Sequence, residues 1–248
     1  MKRLLIVLLV IAGTAFALPF SSEAERKKDG KPDGGVLGYG EYGRPATLDT
    51  ITSNEMISLR LTELIFNGLV GINEKQEIVP ELAEKWEISP DGRLYTFHMR
   101  KGVTWHAREG EEAKPFTADD VIFTHKIMMH PKTITPLKVR YEFIDKMEKV
   151  DDYTVQCTLK RPILNALAKF SFKIIPRHGP SNPLYLTRED VFVQNPIGTG
   201  PYQLKNVTAD REIILTANEN YFKGRPHIDK FVSKPFADQN IMTQALMF

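Results

Sequence analysis

A tight turn followed by an alternating stretch constrains this chain more than any other feature. Residues 89–92 read Ser-Pro-Asp-Gly, in which Pro fixes φ and Gly tolerates a positive φ, as a chain reversal requires. Residues 94–100 alternate between apolar and polar positions, which predicts a half-buried strand. A second glycine turn leads to a short strand predicted over 103–105. The apolar face of the first strand consists of Tyr95, Phe97 and Met99.

Helices are predicted on both sides of this hairpin. The Pro-Glu-Leu-Ala-Glu-Lys-Trp stretch at 80–86 is interpreted as a helix that precedes the turn. Thr117 and Asp120 form a shortened capping box for a later helix, and residues 52–55 match a full capping box for an earlier one. Gly68 is the predicted C-terminal stop of the earlier helix. One apolar stripe of that helix contains Ile57, Leu61, Leu64 and Ile65.

Several motifs follow one another in a fixed order between residues 61 and 121. Residues 61–69 read Leu-Thr-Glu-Leu-Ile-Phe-Asn-Gly-Leu, followed by Pro-Glu-Leu-Ala-Glu-x-Trp, an Asp-Gly turn, Thr-Phe-x-x-Arg, Trp-His and Thr-Ala-Asp-Asp-Val. This order resembles the core signature of the extracellular solute-binding proteins of the peptide/nickel (oligopeptide, family 5) class, the receptors of ABC importers. An ordered set of motifs is more specific than any single short pattern.

The C-terminal half carries two further motifs of the same family. Residues 195–202 read Asn-Pro-Ile-Gly-Thr-Gly-Pro-Tyr, and residues 218–229 match Asn-x-x-Tyr-aromatic-x-Gly-x-Pro-x-apolar-Asp. Two positions depart from the pattern. Phe222 stands where the family usually has Trp, and residues 48–50 read Leu-Asp-Thr instead of Leu-Asp-Pro. The missing proline predicts a looser turn at that position.

The resemblance implies an α/β protein of the type II periplasmic-binding-protein-like class. We expect a first lobe formed by residues 34–71 and 164–248, with an inserted α+β subdomain at 72–163. The family's chain continues beyond the point where this sequence stops. The second lobe is therefore expected to be missing, so that the first lobe is truncated at its C-terminus.

The N-terminus is predicted to be a signal for export. Lys2-Arg3 precedes an apolar run, and Ala-Phe-Ala at 15–17 is a small-x-small cleavage site, so residues 1–17 are predicted to be removed. An uncleaved membrane anchor is the alternative. Residues 18–33 are polar and charged and are interpreted as a flexible leader. The expected location is the periplasm or the outside of the cell.

Charge and cysteine usage agree with export. The 33 basic and 31 acidic residues become equal in number once Lys2 and Arg3 are removed. A balanced surface argues against nucleic-acid binding, which needs a concentrated basic footprint. Cys157 is the single cysteine and lies in an alternating run with Val155 and Leu159. We therefore interpret it as a buried structural thiol.

The resemblance also implies where a ligand would be bound. The residues that enter the first helix face the ligand cleft in the family, although helix capping is our first interpretation of Ser53, Asn54 and Glu55. A glycine stretch near the hinge and cleft floor, and a tyrosine at the cleft rim, complete the expected site. The candidate ligand-binding residues are Ser53, Asn54, Glu55, Met56, Tyr141, Gly198, Thr199, Gly200 and Tyr221.

The sequence gives little support for an enzyme or a cofactor. It contains no Gly-x-Ser-x-Gly, His-Glu-x-x-His or Cys-x-x-Cys motif. Residues 38–43 match Gly-x-Gly-x-x-Gly, but Arg44-Pro45 follows where a helix would have to open, so we reject a dinucleotide site. His98 and His106 flank the second turn, and a metal or metal-chelate site is a hypothesis, although no metal or cofactor is our expectation.

The predicted function is capture of a small solute, with peptides as the preferred class. Delivery to inner-membrane ABC permease subunits would follow hinged closure of two lobes, with no chemistry done on the ligand. The complete protein is expected to be a monomer. Three alternatives stay open: a receptor for nickel or a metal chelate, a degenerate half-receptor that serves as a protein-interaction module, and a hydrolase of unrecognised type.

Overall fold

The computed structural model describes residues 33–53 and 55–247. The predicted signal peptide and all but the last residue of the predicted leader lie outside these residues. The strands are β1 (Val36–Tyr42), β2 (Val70–Ile72), β3 (Ile78–Pro80), β4 (Ala83–Ile88), β5 (Leu94–Met99), β6 (Ile144–Asp151), β7 (Thr154–Leu159), β8 (Tyr202–Val207), β9 (Ile213–Ala217) and β10 (Lys230–Phe236). The helices are α1 (Met56–Ile65), α2 (Ala118–Met129), α3 (Leu137–Tyr141), α4 (Val191–Gln194) and α5 (Gln239–Met247), with a 3-10 helix at Ala166–Ser171.

One four-stranded sheet joins the beginning of the described chain to its end. Its strand order is β1-β10-β9-β8. β1 and β10 are parallel, whereas the β10–β9 and β9–β8 pairs are antiparallel. The alternating sequence of β9 buries Ile213, Leu215 and Ala217 on one face. Because β1 and β10 run in the same direction, their carboxyl ends lie at the same edge, next to the tip of the β8–β9 hairpin.

The second four-stranded sheet comes from the middle of the chain. Its order is β4-β5-β7-β6, and all its pairs are antiparallel. The alternation predicted for β5 is confirmed, since Tyr95, Phe97 and Met99 are buried. The buried position of Cys157 on β7 is confirmed as well, and burial raises the pKa of its thiol to about 12. A thiol with that pKa stays protonated and unreactive at neutral pH.

The helix predicted over 80–86 is wrong. Residues 83–88 form β4, and Trp86 lies opposite Phe97 in the ladder with β5. The stretch contains good helix formers, but intrinsic propensity is a weak preference that tertiary pairing overrides. A shift of register between Ala83 and Lys85 accommodates the irregular start of the strand.

The strand predicted over 103–105 is not formed either. Both edges of β5 are already occupied, by β4 and by β7, so the chain after Gly102 has no free edge on which to fold back. Only an isolated bridge joins Thr104 to Pro115. His98 and His106 therefore do not face each other across a hairpin. His98 contacts Glu87 at 3.2 Å from the exposed side of its strand.

The predicted capping box at 52–55 is wrong because Asp49 already uses Thr52. The Asp49 carboxylate is fully buried and accepts hydrogen bonds from the backbone N–H groups of Ile51 and Thr52, at 2.7 and 2.8 Å. It also accepts from the hydroxyls of Thr47 and Thr52. The turn that lacks the family's proline is therefore closed by four hydrogen bonds, and the looser turn expected there is not found. Helix α1 begins at Met56 with Glu55 as its N-cap residue.

Other local predictions have mixed outcomes. The cap of α2 is confirmed, because the backbone N–H of Thr117 donates to Asp120 Oδ2 at 3.0 Å. After β7 the chain forms a 3-10 helix at Ala166–Ser171, which follows Asn165 in the left-handed conformation. Gly68 does not stop α1, which ends three residues earlier. Its role is close contact, since a Cβ there would lie 2.7 Å from the carbonyl oxygen of Ser171.

The two large sheets are drawn from different parts of the sequence. The β4-β5-β7-β6 sheet lies entirely within 72–163, and the β1-β10-β9-β8 sheet lies entirely outside it. Buried apolar side chains from both parts nevertheless belong to one contiguous core. The predicted division into a lobe and an inserted subdomain stays a prediction.

Candidate functional site

A buried contact between a histidine and two glycines connects the two parts of the chain. The ring of His106 accepts a hydrogen bond from the backbone N–H of Gly198 at its Nδ1, 3.2 Å away. Because an N–H must donate there, Nε2 carries the ring proton and donates it to the carbonyl oxygen of Gly200 at 2.9 Å. Burial lowers the pKa of His106 to about 4, so the ring is neutral at pH 7.

The same glycines lie directly under the end of α1. The backbone N–H of Gly200 donates to the carbonyl oxygen of Ile65 at 2.8 Å. A Cβ on Gly198 would lie 1.8 Å from that oxygen, so only glycine fits. We call His106, Gly198, Gly200 and the Ile65 carbonyl the glycine junction. Gly198 and Gly200 make these contacts to protein, and their predicted contact with a ligand stays a prediction.

An amide side chain extends this junction toward the surface. Asn67 follows α1 and accepts a hydrogen bond from the Thr199 hydroxyl at 3.1 Å. Its amide nitrogen donates to the Tyr221 hydroxyl at 3.4 Å. Thr199 and Tyr221 were both predicted as ligand residues; Thr199 is fully buried and Tyr221 is partly buried. Burial raises the pKa of the Tyr221 hydroxyl, and the hydrogen bond from Asn67 opposes that effect.

Glu81 and Arg100 bring two more motifs to the same region. The carboxylate of Glu81 accepts from the backbone N–H of Gly68 at 2.9 Å. Arg100 donates to the carbonyl oxygen of Glu81 at 2.7 Å and lies over the ring of Phe222, 5.5 Å from its centroid. The family motifs, which are far apart in sequence, therefore meet in one network. The spacing of these motifs along the sequence does not predict this network.

A chain of concave surfaces lies at the carboxyl ends of β1 and β10. The largest encloses about 770 Å³ and includes Tyr42, Arg44, Arg211 and Phe236 in its lining. Neighbouring concavities share lining residues with it on both sides. We call the connected set the long groove. In open α/β sheets, ligands bind outside the carboxyl ends of strands, which is where this groove lies.

Two basic side chains of the long groove have no partner. Within the described residues, neither Arg44 nor Arg211 has a hydrogen bond or an ion pair at its guanidinium group. Arg211 lies at the tip of the β8–β9 hairpin with φ of 65°, a conformation that is uncommon for residues other than glycine. Sequence reasoning missed both residues.

The far end of the groove reaches the predicted ligand residues before α1. A small concavity of about 60 Å³ is lined in part by Ser53, Glu55 and Arg188. The hydroxyl of Ser53 is buried, with 4% of the residue exposed, and has no hydrogen-bond partner in the part of the chain that the structure describes. Glu55 already accepts hydrogen bonds from Ser58 at 2.6 Å and from the backbone N–H of Ala46. Of these two residues, Ser53 is therefore the better placed to bind a ligand, because its hydroxyl is not already paired within the described residues.

The remaining predicted residues fall elsewhere. Met56 is exposed on the first turn of α1, with 65% of its surface accessible. Tyr141 is buried in the core, where its ring lies 5.1 Å from that of Phe172. Asn54 lies outside the described residues. The structure therefore brings Ser53 and Glu55 into the groove and does not bring Tyr141 there.

In the described ranges 33–53 and 55–247, no group of three or more His, Cys, Asp and Glu side chains is placed to hold a metal ion. No helix in these ranges has the length and apolar character to span a membrane.

The family model for the middle part of the bacterial extracellular solute-binding proteins, family 5, matches residues 77–247. The chain belongs to this family. The oligopeptide-binding protein AppA of Bacillus subtilis is 31% identical over 245 residues, which cover 97% of this chain and 44% of that protein. The dipeptide-binding protein of Escherichia coli is 36% identical over 195 residues, which cover 71% of this chain and 36% of the relative. The chain thus spans less than half the length of these relatives.

Solved structures show the same relationship. AppA from B. subtilis in complex with a nonapeptide superposes with a TM-score of 0.78 at 29% identity, over 86% of this chain and 42% of that one. The periplasmic binding protein DppA from Helicobacter pylori in complex with the peptide STSA gives 0.77 at 28% identity, over 87% and 45%. NikZ from Campylobacter jejuni in complex with Ni(L-His) superposes with a TM-score of 0.75 at 28% identity, over 86% of this chain and 41% of that one. The expected family and the type II α/β class are confirmed for the part present.

Proposed function

We propose that this chain forms the first half of the solute cleft in the receptor of an ABC importer, with peptides as the solute. The observation that carries the proposal is the long groove with its polar groups that no protein group occupies. In the described residues, Arg44 and Arg211 are exposed and have no partner for their guanidinium groups, and the Ser53 hydroxyl is buried without one. Buried polar groups are almost always paired in folded proteins, so a partner from outside is expected for Ser53, and the two exposed guanidinium groups are accessible to the same solute.

The chemistry of the groove suits a peptide. Peptides carry carboxylate groups at the C-terminus and on acidic side chains, and guanidinium groups bind carboxylates in a bidentate geometry. The Ser53 hydroxyl is able to donate to a peptide carbonyl oxygen or to accept from a peptide N–H. Relatives with peptides in their names or in their solved complexes support this class of solute.

The mechanism follows from a cleft with two sides. A second lobe would close over a solute held in the groove, and the closed form would be recognised by inner-membrane permease subunits. The glycine junction links the two sheets and is where we place the rigid base of that motion, with Gly198, Thr199 and Gly200 in their predicted hinge position. We propose that the complete protein acts as a monomer and performs no reaction on its solute.

The proposal includes export from the cytoplasm. Known members of this family act outside the inner membrane, in keeping with the predicted cleavage after residue 17. N-terminal sequencing of the secreted protein tests this directly. A mature chain that begins at Leu18 supports cleavage, whereas an intact Met1 in the membrane fraction supports an uncleaved anchor.

Calorimetric titration of the full-length protein tests the solute. We expect tight binding of a tripeptide or a pentapeptide, and weakening by about fivefold or more in Arg44→Gln, because one charge-assisted hydrogen bond is lost. Arg161→Gln is the matched control, since Arg161 is an exposed arginine outside the groove. Failure of the wild-type protein to bind any member of a peptide library would refute the peptide assignment.

A nickel chelate is the second candidate solute. The structural likeness to NikZ in complex with Ni(L-His) favours it. His106 is committed to the glycine junction and is not available as a ligand, so the chelate would have to bring its own donors. Titration of Ni²⁺ with and without free histidine separates the candidates. Binding of Ni-histidine but not of peptides would establish the metal-chelate receptor, and binding of neither by the full-length protein would favour the interaction module.

A further inference from the structure

A second concave surface lies away from the long groove. It encloses about 490 Å³ and shares no lining residue with the groove. One wall is the loop 106–109, which leaves the glycine junction, and another is the stretch 195–197. The floor is formed by Gln203, Leu204, Lys205 and Thr216 of β8 and β9. It therefore lies where the middle part of the chain meets the sheet of the outer part.

Arg108 in this concavity has an unsatisfied donor. Its Nε is buried, and no acceptor for it exists among the residues that the structure describes. A guanidinium group stays charged at all physiological pH values and presents its N–H donors in a fixed planar arrangement. Leaving such a donor both buried and unpaired is costly, so natural proteins rarely do it. The missing partner must carry an acceptor, and a negative charge suits it best.

The surroundings of Arg108 favour an anion. Lys205 reaches the same concavity from β8. On the other side, His178 has its pKa lowered to about 4, first by burial and then by the positive charges of Lys114 and Arg108. Burial is the larger cause of this lowered pKa, and the positive charges add to it, although Glu111 opposes them in part. A single carboxylate, Glu109, lies 3.6 Å from Lys205 and is 95% exposed.

We propose that this concavity binds a small oxyanion, a carboxylate or a phosphate group, between Arg108 and Lys205. Two oxygens of such a group would accept from N–H groups along one edge of the planar guanidinium, as in other arginine–oxyanion pairs. Glu109 acts as an internal competitor that occupies Lys205 when the anion is absent. Because its walls come from both parts of the chain, an anion bound there stabilises their association.

Anion binding by the full-length protein tests the proposal. The midpoint of thermal unfolding is measured in inorganic phosphate, in acetate and in chloride at one ionic strength, because screening alone affects stability. We expect phosphate or acetate to raise the midpoint above its value in chloride. The stronger of the two identifies which oxyanion the site prefers. Equal midpoints in all three salts would overturn the proposal.

Variants locate the site. Arg108→Gln is expected to lower the affinity for the anion by about tenfold or more, since charge-assisted hydrogen bonds are lost. Arg161→Gln removes the same charge from an exposed position outside the concavity and is expected to leave the affinity unchanged. An equal loss in both variants would show a general effect of net charge and would contradict a defined site.

Glu109→Gln provides a test that loss of folding cannot imitate. This substitution removes the competitor for Lys205 at a position that is almost fully exposed. We expect the anion to bind about two- to fivefold more tightly, because an exposed ion pair of this kind contributes only a small free energy. Unchanged or weaker binding would contradict the placement of the anion beside Lys205. The differences that Arg108→Gln and Glu109→Gln make relative to wild type do not depend on which solute the long groove binds, because neither residue lines it.

Discussion

In the glycine junction, every polar atom of the His106 ring has a partner, whereas in the long groove Ser53, Arg44 and Arg211 have none within the described residues. The junction is buried and has no room for a larger residue at Gly198, which approaches the backbone of α1 closely. The groove is open and lined with charged side chains. The comparison indicates that residues carrying the family resemblance build the tightly packed part of the molecule, which we call the frame. Under the proposed function, solute binding falls to residues between the motifs.

The largest effect is expected from Gly198→Ala. Its Cβ would lie 1.8 Å from the carbonyl oxygen of Ile65, which is backbone and is not able to move aside without shifting α1. We expect a loss of more than about 3 kcal/mol in the free energy of unfolding, measured by urea denaturation of the full-length protein. Gly38→Ala is the matched control, because nothing lies within 4 Å of a Cβ there. Equal stability of the two variants would show that the junction is not tightly packed.

The next effect is a pH dependence that belongs to His106. Its pKa is lowered from 6.5 to about 4 in the folded state, so the unfolded state binds more protons between these values. Stability is therefore fully present above pH 6.5 and falls as the pH is lowered toward 4, by up to about 1.4 kcal/mol per pH unit. The stability difference between wild type and His106→Gln should shrink over this range. His178 also has a pKa of about 4, and His178→Gln controls for its share. A constant difference between wild type and His106→Gln would refute the assignment.

A smaller effect is expected where the junction approaches the surface. Tyr221→Phe removes the acceptor of the Asn67 amide, whose hydrogen bond is long at 3.4 Å. The expected loss is about 0.5–1 kcal/mol in the free energy of unfolding. Tyr39→Phe is a suitable control, since Tyr39 is an exposed aromatic on β1. A loss above about 2 kcal/mol would mean that the tightly packed frame extends to Tyr221 and that the surface end of the junction contributes as much to stability as its buried part.

Much of the frame could be predicted from sequence, because its signals are local. The alternation of β5, the cap of α2 and the buried thiol of Cys157 follow from patterns a few residues long. β4 was missed because its residues prefer a helix and only the partner strand makes them extended. The capping box predicted at 52–55 was wrong for a related reason. Asp49 binds the hydroxyl of Thr52, and the four-residue motif contains no information about a group outside it.

The candidate site was harder to predict, because it depends on which polar groups remain unpaired after folding. Gly198, Thr199 and Tyr221 were recognised from motifs, yet the structure gives each of them contacts with protein. Arg44 and Arg211 belong to no motif, and their meeting in one groove depends on the parallel pairing of β1 with β10. This pairing joins strands about 190 residues apart in sequence, so a short sequence pattern does not predict it.

The smallest effect on stability is expected from Ser53→Ala, and for that reason it separates the two regions best. Within the described residues the Ser53 hydroxyl is buried without a partner, so its removal should leave the free energy of unfolding unchanged within about 0.5 kcal/mol or raise it slightly. If the groove binds the solute, the same change should weaken solute binding by about fivefold or more, measured by calorimetry. Thr50→Val is the matched control, since that hydroxyl is also buried and unpartnered within the described residues but does not line the groove. A destabilised protein with unchanged solute affinity would place Ser53 in the frame and leave the groove without its buried polar contact.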